Sequence, residues 1–253
     1  MKIGAQLFTV RDYTKNLDDF SETLKKVADI GYTTVQVSGT CDYEPEWLKN
    51  ELDKNGLKCV ITHTAPAKIL EDTLKICRNH DIFDCRCIGI GGIGTITEES
   101  YANFVKNFKP VSRIIADNGH KFFFHNHHGE FARLSDGRLV MEHLMTDFEP
   151  DELGFTLDTY WVQFGGADPA AWLEKLAGRV ECIHLQDMSI HGPEREHRMA
   201  PVGYGNMNFD RIIDAASHSG VEYMLVEQDN CNGDDPFECL KKSYDYLKSI
   251  GLN

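Results

Sequence analysis

Apolar residues recur along this chain with two alternating periods. Short β-branched or aromatic runs, which read as buried strands, give way to longer stretches whose apolar positions fall three and four apart, the signature of one helical face. Strands are predicted over residues 2–8, 33–38, 58–63, 86–90, from Lys121 through the phenylalanines 122–124, and over 153–158, 180–186 and 223–228. Helices are predicted between them, over 17–30, 46–55, 67–80, 98–118, 139–146, 169–177, 209–219 and 236–250. Glycines at 31, 56, 119, 220 and 251 stop helices, and Asp168-Pro169 supplies an N-cap followed by a first-turn proline.

Eight strand–helix units in strict alternation require right-handed crossovers and a parallel sheet, and eight such units close into a (β/α)8 TIM barrel. An open doubly wound sheet would need a glycine-rich turn after its first strand, and Phe8-Thr9-Val10-Arg11-Asp12 contains none. The run Gly89–Gly94 lacks the dinucleotide-binding spacing. At 253 residues, with no linker or low-complexity segment, the chain reads as one α/β domain over 1–253.

Charge narrows the partners. A formal net charge of -14 and an isoelectric point near 5.2 argue against nucleic acid and against an anionic membrane surface. A small polar substrate fits better. No apolar run is long enough for a membrane span, and Met1–Gln6 begins a strand rather than a signal segment, which points to the cytoplasm. The 8 cysteines are scattered through strands and helices, as reduced core thiols are. The assembly state, monomer or homo-oligomer, is left open.

In such a barrel the C-terminal ends of the strands carry the chemistry. Those ends give Gln6, Gln36, His63, then His125, His127 and Glu130, then Asp158, His184 with Gln186 and Asp187, and Glu227 with Asp229. The stretch Lys121–Phe131 is the most pronounced: an aromatic strand breaks directly into three histidines, an amide and a carboxylate. Taken singly, Asp158 reads as a helix cap, His184 as a satisfied core histidine and Glu227 as an ion-pair partner. Their recurrence at successive strand ends argues instead for a mixed N/O set suited to a divalent cation.

The motifs Phe124-His125-Asn126-His127-His128-Gly129-Glu130-Phe131, Leu157-Asp158-Thr159, Ile183–Met188 and Val226–Asp229 resemble the strand-end signatures of the xylose isomerase-like TIM barrels, the sugar phosphate isomerases/epimerases. Val202–Phe209 is similar to the glycine turn before their seventh helix. The resemblance spans nearly the whole chain. It implies a Mn2+, Mg2+, Zn2+ or Co2+ site held by Asp158, His184 and Glu227, with Glu130 as the expected fourth ligand and His127 as the alternative. The ketose epimerases place a glutamate directly at the end of strand five and a histidine three residues after the aspartate. This chain has the histidine-rich run and Trp161 at those places, which leans toward inosose dehydratase-like and keto-glycoside-acting members.

The implied chemistry is proton removal next to a carbonyl, with His125 or His127 as base and Glu227 as a second base that also ligates. Gln6, His63, Trp161, Gln186 and Arg195 are the expected contacts to a carbohydrate substrate. Epimerisation, isomerisation and dehydration share the enediolate and stay open. An endonuclease IV-like repair enzyme is disfavoured by the acidic charge and the missing histidine, and a non-catalytic sugar-binding barrel by the intact Asp-His-Glu set.

Overall fold

Strands that bury both faces need helices on one side and each other's side chains on the other. The structure, a computed structural model that describes residues 1–252, meets that need with a closed parallel barrel. In chain order the strands are β1 (Lys2–Gln6), β2 (Thr34–Val37), β3 (Lys58–His63), β4 (Cys87–Ile90), β5 (Lys121–His125), β6 (Gly154–Asp158) and β7 (Cys182–Leu185). A hairpin outside the barrel comes next, β8 (Asp187–His191) and β9 (Glu196–Ala200), and then β10 (Tyr223–Val226). The strands β1 to β7 and β10 close the ring, with β1 paired to both β2 and β10.

The outer layer comprises α1 (Leu17–Ile30), α2 (Pro45–Lys54), α3 (Pro66–Glu71), α4 (Thr73–Ile82), α5 (Glu98–Asp117), α6 (Val140–Asp147), α7 (Thr159–Phe164), α8 (Pro169–Lys175), α9 (Phe209–Ser219) and α10 (Pro236–Ser249). The first of these shows how the sequence specifies them. Asn16 caps α1 by accepting the Asp19 N–H at 2.9 Å, the helix buries Phe20, Leu24 and Val27, and it stops at Gly31.

Side chains largely alternate across the wall, with a register irregularity at Val35–Gln36 where β2 meets β3. On β5, Phe122 and Phe124 point outward and meet Phe108 and Phe104 of α5, with ring centroids 5.6 and 5.5 Å apart. Phe123 points inward and packs with Ile61, Cys87, Cys182 and Leu225 in an apolar plug across the barrel. Two residues beyond four of these plug residues the inward position is polar: His63 after Ile61, His125 after Phe123, His184 after Cys182, Glu227 after Leu225; after Cys87 it is Gly89.

The structure departs from the sequence expectation at several places; β1 and β10, for instance, end at Gln6 and Val226 rather than at 8 and 228. The helix expected over 67–80 is two, α3 and α4, because Asp72 (φ -151, ψ 82) leaves helical geometry to cap α4 by accepting the Lys75 N–H at 2.9 Å. The seventh strand, expected over 180–186, ends at Leu185. The segment beyond it, including Arg195 and His197, forms the hairpin rather than a plain loop. The short α7 directly after Asp158 was not expected; its N-cap is Asp158 itself. Among the described residues no helix is long and apolar enough to cross a membrane.

Candidate active site

The polar layer above the plug brings Asp158, His184 and Glu227 together with His125. One ligand-type atom from each lies within 4.8 Å of all the others. These side chains are at most 4% exposed.

Each one is aimed by neighbours. Asp158 Oδ1 accepts the Trp161 N–H at 2.9 Å, and the Asp158 N–H donates to Asn126 Oδ1 at 3.1 Å. That leaves Oδ2 facing the barrel axis, where it accepts from Gln186 Nε2 at 2.8 Å. Glu227 Oε1 accepts from Gln6 Nε2 at 2.6 Å; Oε2 accepts from Gln186 Nε2 at 3.0 Å. His184 Nε2 meets Gln36 Oε1 at 2.6 Å, and since a carbonyl oxygen only accepts, that nitrogen carries the hydrogen. His184 Nδ1 therefore faces the carboxylates, 2.6 Å from Glu227 Oε2 and 3.6 Å from Asp158 Oδ2.

The protonation pattern reflects this geometry. Burial alone would pull the His184 ring down, but the Glu227 and Asp158 carboxylates outweigh it and hold it at about 10. Glu227, closer to that ring, stays below the usual carboxylate range despite burial. Asp158, farther away, is pushed up to about 6 by burial. Burial, and after it the neighbouring His184, lowers His63 to about 3 and takes His125 well below 6.5, so both are neutral at physiological pH. His127, half-buried, is lowered by burial as well. Asp229 is raised to about 8, first by burial and then by Glu227.

The expected residues divide into those the structure brings together and those it does not. Glu130, the expected fourth ligand, is outside the four-residue cluster. It lies in a tight turn (His128–Phe131) beyond β5, and its carboxylate reaches back to accept the His127 N–H at 2.8 Å. The strand-end position that points inward belongs to His125, whose ring lies 4.5 Å from that of His184 and 4.7 Å from that of His127. The His63 ring lies 5.2 Å from that of His125, and the Trp161 ring 5.4 Å from that of His127.

Gln6 was expected at the substrate, but its amide is engaged at both ends, on Glu227 and on the Phe8 N–H. Gln186 likewise bridges the two carboxylates, with only its carbonyl oxygen unengaged. Arg195 lies in the exposed turn of the hairpin. Two positioning residues, Gln36 and Asn126, were not singled out for these roles. The signal for Gln36 is an amide inside the all-buried strand Thr34-Val35-Gln36-Val37, which demands a buried partner.

The donor set fits a divalent cation. Two carboxylates and two imidazoles offer a mixed N/O set, and Gln36 fixes the His184 tautomer so that Nδ1 can present a lone pair once it loses its proton. Around them Gln36 Nε2, His63 Nε2, His125 Nδ1, Asn126 Nδ2, Trp161 Nε1 and Gln186 Oε1 are buried without a hydrogen-bond partner. Buried polar atoms cost free energy unless something bonds them, and a ligand that bonded these would offset that cost.

Fold and site together define a (β/α)8 barrel with a polar, cation-competent layer at its C-terminal mouth. The chain belongs to the xylose isomerase-like TIM barrel family, whose model matches residues 24–250. It is similar to an inosose dehydratase of Clostridium beijerinckii, 26% identical over 167 residues that make up 60% of this chain and 55% of that protein. The matched region thus spans only about half the length of that curated relative. Among solved structures, a sugar phosphate isomerase/epimerase from Parabacteroides distasonis superposes with a TM-score of 0.82 at 23% identity, covering 98% of this chain and 97% of the other. The probable 3-DHS dehydratase of Bacillus anthracis superposes at 0.75 with 16% identity, covering 98% and 99%.

Proposed function

We propose that this chain is a divalent-cation-dependent enzyme that removes a proton next to the carbonyl of a small sugar or polyol, an isomerase or epimerase by outcome. The observation that carries this reading is the convergence of His125, Asp158, His184 and Glu227 on one point at the barrel mouth. The cation, Mn2+, Mg2+, Zn2+ or Co2+, would supply Lewis acidity toward a carbonyl oxygen. The remaining work belongs to the chain. Gln6 and Gln186 hold the carboxylates in place. Trp161 and Phe164, ring centroids 5.7 Å apart, wall the mouth on the side of β6. His127 lies beside the cluster and is less buried than His125, and its neutral imidazole can accept a proton. Return of that proton to the opposite face gives an epimer, and to the adjacent carbon an isomer.

A dehydratase is the second reading. It is favoured by the name of the curated relatives and by Asp229, a further carboxyl group 3.4 Å from Gln186 Nε2 that could protonate a departing hydroxyl. The two readings differ only in whether water leaves, so product analysis separates them.

The test combines metal stoichiometry with solvent-deuterium exchange into keto sugars and keto polyols. Asp158→Asn and Glu227→Gln should lose the cation. His127→Ala should retain it while exchange falls by roughly two to four orders of magnitude, the usual contribution of a general base. Full metal content in both carboxylate variants would overturn the site assignment.

A further inference from the structure

The loop after the seventh barrel strand is where barrels of this architecture commonly hold a substrate's phosphate, on backbone N–H groups beside a helix N-terminus. In this chain those N–H groups already have an anion. The Asp187 carboxylate, 1% exposed, lies at their centre. Its Oδ2 accepts from Gly203 N at 3.0 Å and Gly205 N at 2.8 Å, and its Oδ1 from Met188 N at 2.7 Å and Met207 N at 3.2 Å.

The loop is built for that grip. A Cβ on Gly205 would stand 2.3 Å from Asp187 Oδ1, and Gly203 turns through a left-handed φ of 86° with the Tyr246 ring against its Cα. Four amides converging on one anion form the kind of concavity that cradles phosphate elsewhere. Here the chain itself fills it.

The neighbouring donors are taken too. Asn208 caps α9 at Arg211 N, 3.1 Å, and Asp235 caps α10 at Phe237 N, 2.8 Å. Arg11 is engaged by the carbonyls of Phe8 and Asp229 at 2.8 and 3.0 Å. Among the buried side chains of the mouth, unengaged atoms belong to neutral groups: His63 Nε2, Asn126 Nδ2, Trp161 Nε1 and Gln186 Oε1, each able to bond one hydroxyl.

Resting on the functional reading above, we propose that the substrate is an uncharged keto-sugar or keto-polyol, that its phosphate ester is rejected, and that Asp187 sets this discrimination by occupying the amide cradle. A phosphate brought to this loop would face a buried carboxylate in place of four donors.

Two measurements test this. In the first, inorganic phosphate is titrated into the full-length protein while the backbone amide resonances of Gly203, Gly205 and Met207 are followed. They should stay fixed in the wild type and move in Asp187→Gly, or in Asp187→Ser should the glycine variant fail to fold. Millimolar phosphate shifting those amides in the wild type would overturn the proposal. In the second, deuterium exchange is compared for a keto-sugar and its phosphate ester. The neutral compound should be favoured by roughly two orders of magnitude in kcat/KM, the scale of a like-charge contact. An ester turned over equally well would overturn the proposal, and loss of that turnover in Arg195→Ala would assign phosphate recognition to the hairpin. Exchange into neither compound sinks the functional reading, while the amide titration still decides the role of Asp187.

Discussion

At the scale of single residues, the candidate site is set by amides that never need to touch a substrate. Gln36 fixes which nitrogen of His184 carries hydrogen. Replacing it with leucine should leave the fold intact yet weaken cation affinity roughly 10- to 100-fold, the usual effect of losing a group that orients a ligand; calorimetric titration with Mn2+ measures it. Glu130 gives a second prediction, through pH. Burial, offset in part by backbone N–H groups, raises its carboxyl to about 7. Between about 4.5 and about 7 the folded protein keeps a proton that the unfolded chain has released, so stability should fall as pH rises through that window, by roughly 3–4 kcal/mol. Glu130→Gln should lack this dependence, and its Tm relative to wild type should climb from pH 4.5 to pH 7. A constant difference would show that Glu130 titrates normally. The same residue shows where reading the chain alone stops. Asp158, His184 and Glu227 were legible because each lies at or within one residue of a strand end, on the inward phase of a two-residue period. Glu130 lies beyond the strand in a turn whose hydrogen bonds redirect it, and no periodicity reports such a turn.

At the scale of elements, all eight barrel strands were legible from apolar runs, since burial on both faces leaves an unbroken pattern. The hairpin β8–β9 was not, because Glu196-His197-Arg198 is largely exposed and reads as solvated loop. Asp72 was equally hidden: a single cap divided one amphipathic stretch into two helices. Long-range ties of this kind also decide stability. The Arg179 guanidinium donates to Met145 O, Phe148 O and Leu153 O at 2.8, 3.2 and 2.8 Å. It thereby satisfies carbonyls at the end of α6 and the start of β6 that no helix or strand partner reaches. Arg179→Ala should cost about 2–3 kcal/mol in urea unfolding, the range for hydrogen bonds to a charged group together with the acceptors left unpaired. Because the residue is at the opposite end of the barrel from the polar layer, cation affinity should be unchanged.

At the scale of the whole molecule, the barrel separates a sealed apolar plug from a polar mouth, and the plug isolates the site from the other end of the ring. Closing that ring has a consequence in time. Gln6, on the first strand, holds Glu227, 221 positions later and just past the last strand. A chain emerging from the ribosome can pair β1 with β2 early, but the far edge of β1 waits until Tyr223–Val226 has been made. Until then Gly4 and Ala5 present an open edge, and Glu227 cannot join His125, Asp158 and His184. Nascent chains stalled before residue 223 should therefore bind no Mn2+, and those released past α10 should bind it in one step rather than by increments. Assembly of the site would then mark the moment at which synthesis commits the protein to its native topology.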